Sequence, residues 1–138
     1  MQTLTITKWD IVRALETEPL TWGCWAETGK AVNDPTCRVC AVGAAVRLAA
    51  QWRRVKARHD THAGVCMRAT DGRANPGSRA PAGNWLSALS IVWETLNCNN
   101  WVDSETGKIL DPEDLRPDIV RWAQDNIPDS YRATIPVY

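Results

Sequence analysis

The segment over residues 38–56 constrains the fold most, because it combines helical periodicity with small side chains. Apolar residues recur there at steps of three and four, which predicts one buried helical face. This face consists of Val39, Val42, Ala45 or Val46, Ala49, Trp52 and Val55. Gly43 and the alanines of "AVGAAVRLAA" leave the first half of the segment thin. We therefore predict a helix over 38–56, capped by Asp34 or Thr36, against which another element packs closely.

Three shorter segments show the same helical spacing. A helix capped by Thr7 should run to about Leu15, and a second should follow Asn84 over "WLSALSIVWETLN". A third opens at Pro117, since proline suits the first turn of a helix, and covers "PDIVRWAQDNIP". Asp111, followed by a proline, predicts a single helical turn before it.

Strand signals are few. The arm "LTWGC" alternates, and "WVDSETGKILDPEDL" fits a short hairpin. The tail "YRATIPVY" can add an edge strand or cover the core. Residues 68–83 are rich in Gly, Pro and Arg without periodicity, which predicts a mobile loop that orders on a partner. We predict a single domain over 1–138, mainly α with minor β. It contains three or four packed helices, a short hairpin or extended arms, and this one long loop.

Charge and hydropathy argue against several functions. The chain has 16 Lys and Arg and 16 Asp and Glu, so it lacks the cationic surplus of a protein built mainly to bind nucleic acid. No apolar run approaches the roughly 18 residues of a membrane span. The first residues, "MQTLTITKWD", lack the apolar stretch of a signal peptide. We therefore expect a cytoplasmic protein whose five cysteines are free thiols.

Tryptophan and arginine point to an interaction surface. The chain has eight Trp and no Phe, so some of these rings should lie at the edge of the core, and Trp and Arg are enriched at binding hot spots. The basic residues of 47–58 have no acid among them and predict an exposed basic helix face; they are Arg47, Arg53, Arg54, Lys56 and Arg58. For any single arginine, a solvated surface position is the alternative. We predict a partner-binding surface formed by Trp52, Arg53, Arg54, Arg58, Arg73 and Arg79.

Cys37 and Cys40 have the spacing of half a zinc site. With His59 and His62 they would form a Cys2His2 ligand set. An unbroken helix to residue 56 would place the histidines about 25 Å away along its axis, so zinc binding requires the helix to end early. Zinc is therefore an alternative, and no other cofactor is expected.

Cys40 is also a candidate nucleophile, because a helix N-terminus stabilises a thiolate. A cysteine-dependent hydrolase or transferase needs a base as well, and His59 and His62 are the two histidines of the chain. The small apolar residues after Cys40 suit a buried thiol that does no chemistry. We take this packing role as the expectation and keep both chemical sites as alternatives.

Three pieces of the chain show a family resemblance when taken together. They are "LTWGCWAETGKAVNDPTCRVCAVGAAVR", "NWLSALSIVWETL" and "DIVRWAQDNIP". They resemble small, uncharacterised proteins of tailed phages and bacteria that share a CxxCAxGA helix start and a later NxLSALS helix, a domain of unknown function. The long loop lies outside this likeness. The resemblance implies a phage or mobile-element accessory protein, and such proteins commonly inhibit host machinery, including by anti-CRISPR and other anti-defence activity. It carries over no catalytic or ligand residue.

The leading hypothesis is a non-enzymatic accessory protein that acts in the host cytoplasm. It would bind a host protein or protein complex and inhibit it, a CRISPR-type defence system being one such target. Its small size, its tryptophans, its basic helix and its loop all favour this function over the two chemical alternatives.

Overall fold

The computed structural model describes residues 2–21, 39–54, 85–100, 105, 107 and 111–137. Strand β1 (Gln2–Thr7) leads directly into helix α1 (Lys8–Thr17), and helices α2 (Ala41–Trp52) and α3 (Trp85–Asn100) follow. A 3₁₀ helix (Pro112–Leu115), helix α4 (Arg116–Asn126) and strand β2 (Arg132–Val137) complete the described chain. The prediction of a mainly α fold with minor β is confirmed. The 68–83 loop, the Asn84 cap and the body of the predicted hairpin lie outside the described residues.

The two strands pair antiparallel and bring the ends of the described chain together. Leu4 lies opposite Ile135 and Ile6 opposite Ala133, and all four side chains are buried. The predicted tail strand is therefore confirmed. Strand β1 was not predicted, although the alternation of Leu4 and Ile6 with threonines is the period of a half-buried strand.

Helix α1 begins where the sequence predicts, at Thr7. The Thr7 side chain caps the helix, and the Asp10 carboxylate accepts a hydrogen bond from the Thr7 backbone N–H at 2.8 Å. These reciprocal bonds form a capping box, which satisfies N–H groups that have no partner inside the helix. Because Thr7 is also the last residue of β1, this cap fixes the angle between strand and helix.

Helix α2 lies at the centre of the described fold, in contact with α1, α3 and β1. The predicted close packing of its first half is confirmed, since Gly43, Ala44 and Ala45 are all buried. Both predicted boundaries are wrong: the helix begins at Ala41 and ends at Trp52, not at residues 38 and 56, and its cap is Cys40, not Asp34 or Thr36. Val39 forms a parallel bridge with Leu20, so the chain is extended just before Cys40 and the helix cannot begin earlier.

Arg47 does not belong to an exposed basic face, as the sequence predicted. Its side chain is 1% exposed, and its Nη2 and Nε atoms lie 2.7 and 3.1 Å from Oε2 of Glu18. Glu18 follows α1 directly, so this ion pair joins the end of α1 to the middle of α2. Helical spacing alone could not reveal an acid 29 positions earlier in the chain.

Trp52 does not lie on the buried face to which its spacing assigned it. It follows Leu48 by one turn, and this stripe is the side of α2 that the described core leaves open. The buried part of α2 is the segment from Ala41 to Ala50, in which every residue except Leu48 is buried.

Arg116 supplies the cation that the end of α1 lacks in its own last turn. Its guanidinium donates to the carbonyl oxygens of Leu15 and Glu18, at 2.5 and 2.7 Å, and also pairs with Glu113. Glu113 in turn accepts a hydrogen bond from the Leu20 backbone N–H at 3.0 Å. A cation at a helix C-terminus compensates exposed carbonyls and the helix dipole, so α4 and the 3₁₀ helix stabilise the end of α1.

Helices α3 and α4 cover the remaining core. The Trp93 indole is buried and donates to the Thr21 carbonyl oxygen at 3.0 Å, and the Trp85 and Trp122 rings lie 6.2 Å apart between centroids. Three predicted helix boundaries near the end of the described chain are confirmed. Asp111 caps the 3₁₀ helix, Pro117 lies in the first turn of α4, and α4 ends before Pro128.

The Glu18 carboxylate should contribute far more to stability than an exposed one. We expect Glu18→Gln to lower the free energy of unfolding by about 3 kcal/mol, because it removes a carboxylate charge that a buried arginine contacts at 2.7 Å. The matched control is Asp129→Asn, which removes the carboxylate paired with Lys8 but is itself 79% exposed, and should cost about 0.5 kcal/mol. Urea unfolding of both variants measures the difference, and equal losses would contradict the role of the Glu18–Arg47 pair.

Tyr131 should make the fold sensitive to alkaline pH. Burial raises the pKa of Tyr131 to about 12, although a hydrogen bond with the Leu86 backbone offsets part of the shift. An unfolded tyrosine titrates near pH 10, so the stability due to the neutral phenol is full below pH 10 and is lost as pH rises towards 12. By pH 11 the protein should have lost about 1 kcal/mol that Tyr131→Phe does not lose. Urea unfolding of both proteins at pH 8.5 and 11 tests this, and parallel losses would contradict it.

Candidate functional site

A groove of about 450 Å³ runs between α1 and α2. It is lined by Trp9, Asp10, Arg13, Thr17, Leu48 and Trp52. Pockets that bind ligands commonly occupy roughly 300–1,000 Å³ and carry apolar walls with a few polar groups. The groove has this size and this composition, which makes it the candidate site of the described chain.

The helical repeat explains why these side chains line one groove. On α1, Trp9, Arg13 and Thr17 are spaced by four residues and therefore project from one side of the helix. On α2, Leu48 and Trp52 are related in the same way. The two helices run antiparallel, because Asp10 near the start of α1 pairs with Arg53 just after the end of α2.

The two tryptophans of the groove are unusually exposed. Trp9 is 60% exposed and Trp52 is 77% exposed, whereas the Trp93 ring is buried. The Lys8 ammonium lies 5.5 Å from the centroid of the Trp9 ring, which is within the range of a cation–π interaction. The same ammonium donates to the Gln124 carbonyl oxygen at 2.9 Å and pairs with Asp129. These contacts link Lys8 to the C-terminal end of α4, and the Trp9 ring beside it stays mostly exposed.

The edge of the groove is positively charged. Its carboxylate, Asp10, is buried and lies 2.9 Å from Nη2 of Arg53, so its charge is compensated within the fold. Arg13 and Arg54 are exposed, and neither makes an ion pair in the described part of the chain. Arg54 has a φ of 54°, in the left-handed region, which turns the chain away from the helix axis directly after α2.

Half of the predicted partner-binding set can be placed. Trp52, Arg53 and Arg54 lie together at the C-terminal end of α2, beside the groove. Arg53 is held by Asp10 and is only partly exposed, so Arg54 is the more available cation. The other predicted contacts lie outside the described residues; they are Arg58, Arg73 and Arg79.

Sequence reasoning missed the contribution of α1 to this site. The helical spacing of Trp9 with Val12 and Ala14 or Leu15 favours a buried position for its ring, but the structure leaves the ring mostly exposed. On a helical wheel, however, Trp9 lies on the same side as Arg13 and Thr17, which are polar. That mixed side was the available signal for an aromatic residue facing solvent.

Cys40 is buried, and its sulfur accepts a hydrogen bond from the Gly43 backbone N–H at 3.3 Å. The thiol thus caps α2 and fills space in the core, as its small apolar neighbours predict. The remaining residues of both chemical alternatives, Cys37, His59 and His62, lie outside the described residues, so the nucleophile and the zinc site stay predictions. Within the described ranges, no three His, Cys, Asp or Glu side chains are grouped so as to hold a metal ion.

Comparisons with known proteins add no assignment. Neither a protein-family model, nor a curated protein, nor a solved structure matches this chain. None of the helices in the described ranges combines the length and the hydropathy needed to cross a bilayer. The resemblance to phage proteins therefore stays a prediction.

The burial of Cys40 predicts a slow thiol. In the native protein at neutral pH, iodoacetamide should modify Cys40 only at the rate of unfolding, because a buried sulfur that caps a helix has no access to the reagent. Peptide mass spectrometry after timed labelling separates Cys40 from the other four cysteines, and denatured protein provides the control. Native labelling of Cys40 as fast as in the denatured chain would contradict the packing role and favour the nucleophile.

Proposed function

We propose that the protein acts by binding another protein through the groove between α1 and α2. The observation that carries this proposal is the pair of tryptophans, Trp9 and Trp52, which line one groove and are both mostly exposed. Apolar surface exposed at one place is costly in water and marks interaction sites when several large side chains contribute to it. Tryptophan and arginine are also the residues most enriched among binding hot spots.

The groove is better suited to binding than to catalysis. Its apolar floor is formed by Trp9, Leu48 and Trp52, and Arg13 stands at its edge. The Asp10 carboxylate is engaged by Arg53 and by the Thr7 backbone, which ties it to the fold. An apolar centre with a charged rim is the arrangement of a protein interface.

We further propose that the partner belongs to a host cell and that binding inhibits it. The resemblance of the chain to small phage proteins supports this, and a compact domain that covers a functional surface of its target needs no chemistry of its own. A defence complex of the CRISPR type is the target class that this resemblance favours. The proposal needs one accessible binding surface, and the exposed tryptophans of the groove support its location there.

Alanine variants of the groove test the proposal. Affinity purification from host cells, followed by quantitative mass spectrometry, should recover a partner with the native protein. Trp52→Ala or Trp9→Ala should reduce the recovered amount by at least nine-tenths, because truncation of a hot-spot residue costs more than about 1.4 kcal/mol of binding free energy. Ile91→Ala is the matched control, because Ile91 is another large apolar residue that is 56% exposed, but on α3. It should recover the partner unchanged.

Folding must be preserved for this comparison. All three side chains are exposed, so each variant should melt close to the native temperature, which circular dichroism can verify. A partner that both tryptophan variants retain at native levels would contradict the use of this groove.

A further inference from the structure

Resting on the proposed function, we infer that the groove between α1 and α2 binds an acidic segment of its partner, one in which large apolar side chains stand beside carboxylates. The groove has an apolar floor, formed by Trp9, Leu48 and Trp52, and a cationic edge, formed by Arg13 and Arg54. The floor complements the apolar side chains of such a segment, and the edge complements its carboxylates. The floor selects the anchoring side chains, and the edge selects the charge of the residues that flank them.

The floor determines the anchors. Trp9 on α1 and Leu48 and Trp52 on α2 face the same space of about 450 Å³, which can accommodate one or two large apolar side chains. A shallow channel between two antiparallel helices matches the way in which a partner helix packs, with anchors three or four residues apart. The Lys8 ammonium lies 5.5 Å from the centroid of the Trp9 ring and favours one placement of it, which reduces the conformational freedom that is lost when an anchor packs there.

The edge determines the charge. Arg13 lines the groove, Arg54 follows its end, and both guanidinium groups are exposed without an ion pair among the described residues. Asp10 does not cancel them, because Arg53 already compensates it at 2.9 Å. Glu16 is an exposed acid on α1 but does not line the groove. Each exposed cation should favour a carboxylate partner by roughly 2- to 5-fold in affinity.

Two other occupants fit the groove less well. A nucleic acid would need many more phosphate contacts than Arg13 and Arg54 provide, and the chain as a whole carries no net charge. A second copy of the chain, bound through the same groove in a two-fold dimer, would bring the Arg13 and Arg54 side chains of both copies towards each other, and like charges at an interface oppose binding.

The choice of variants follows from the ion pairs. Arg53 is unsuitable for charge reversal, because a glutamate there would face the buried Asp10 and disturb the fold. Arg13→Glu combined with Arg54→Glu removes the cationic edge and changes only exposed side chains. Arg121→Glu combined with Arg132→Glu is the matched control, since it alters net charge equally at exposed positions on α4 and β2.

The test is a selection from a random 12-residue peptide library displayed on the surface of a carrier, with the full-length protein as bait and Trp52→Ala for counter-selection. Enriched peptides should place Asp or Glu next to Trp, Leu, Phe or Met. The strongest of them, labelled with a fluorophore, should bind the native protein by anisotropy. Binding should weaken about tenfold in the Arg13 and Arg54 double variant, stay within about twofold in the control variant, and fall as salt rises.

Three results would overturn the inference. Enriched peptides that are uncharged or basic would show that the edge does not select acids, even if host capture still depends on Trp52. Competition by a single-stranded oligonucleotide that the Trp52→Ala variant does not show would make nucleic acid the ligand. A concentration-dependent dimer that Trp52→Ala dissociates would make a second copy the occupant. By contrast, acidic peptides that bind the groove while no host protein requires it would contradict the proposed function alone.

Discussion

Two ion pairs, one near each end of α1, hold this helix against α2. Asp10 reaches Arg53 at 2.9 Å, and Glu18 reaches Arg47 at 2.7 Å. Between Arg47 and Arg53, α2 carries the buried residues Ala49 and Ala50, whose small side chains let the two backbones approach closely. Electrostatic attraction thus fixes the position of α1 along α2, while the small residues fix the distance. The groove is the exposed side of this helix pair, and its shape depends on both.

The acidic members of these pairs have second roles that extend the constraint. Asp10 also closes the cap between β1 and α1, and the backbone carbonyl of Glu18 accepts a hydrogen bond from Arg116 of α4. The placement of α1 is therefore linked to the sheet at one end and to α4 at the other. Trp9 follows the Thr7 cap by two residues, so the cap and the two ion pairs together fix where its backbone lies.

Local chemistry made much of the fold predictable. Thr7, Asp111 and Pro117 act on backbone groups within a few residues of themselves, so their effects can be read from neighbouring letters. Arg47 could not be predicted in the same way, because its position depends on Glu18, which follows the end of α1 and lies 29 positions earlier in the chain. The sequence does not show the Glu18–Arg47 pair, and an arginine in a helix that is followed by further basic residues is then expected to face solvent.

The site was predicted in part, for the same reason. Trp52 and Arg54 were found because a cluster of Trp and Arg is itself an interface signal, whatever its surroundings. Trp9 and Arg13 were missed, because their role arises only when α1 lies beside α2, a juxtaposition of residues about 40 positions apart in the chain. The direction of Trp52 also depended on which side of α2 stays open, which periodicity does not determine.

The claim that the groove is the binding surface is tested most directly by the indole N–H signals of the tryptophans in a ¹H–¹⁵N correlation spectrum. Trp9→Phe and Trp52→Phe assign the two groove signals, and Trp93→Phe assigns a buried one whose N–H is bonded to Thr21. On addition of the captured host partner, we expect the Trp9 and Trp52 signals to shift or broaden in proportion to binding. Of the three assigned signals, that of Trp93 should change least. Saturated binding that leaves both groove signals unmoved would contradict it.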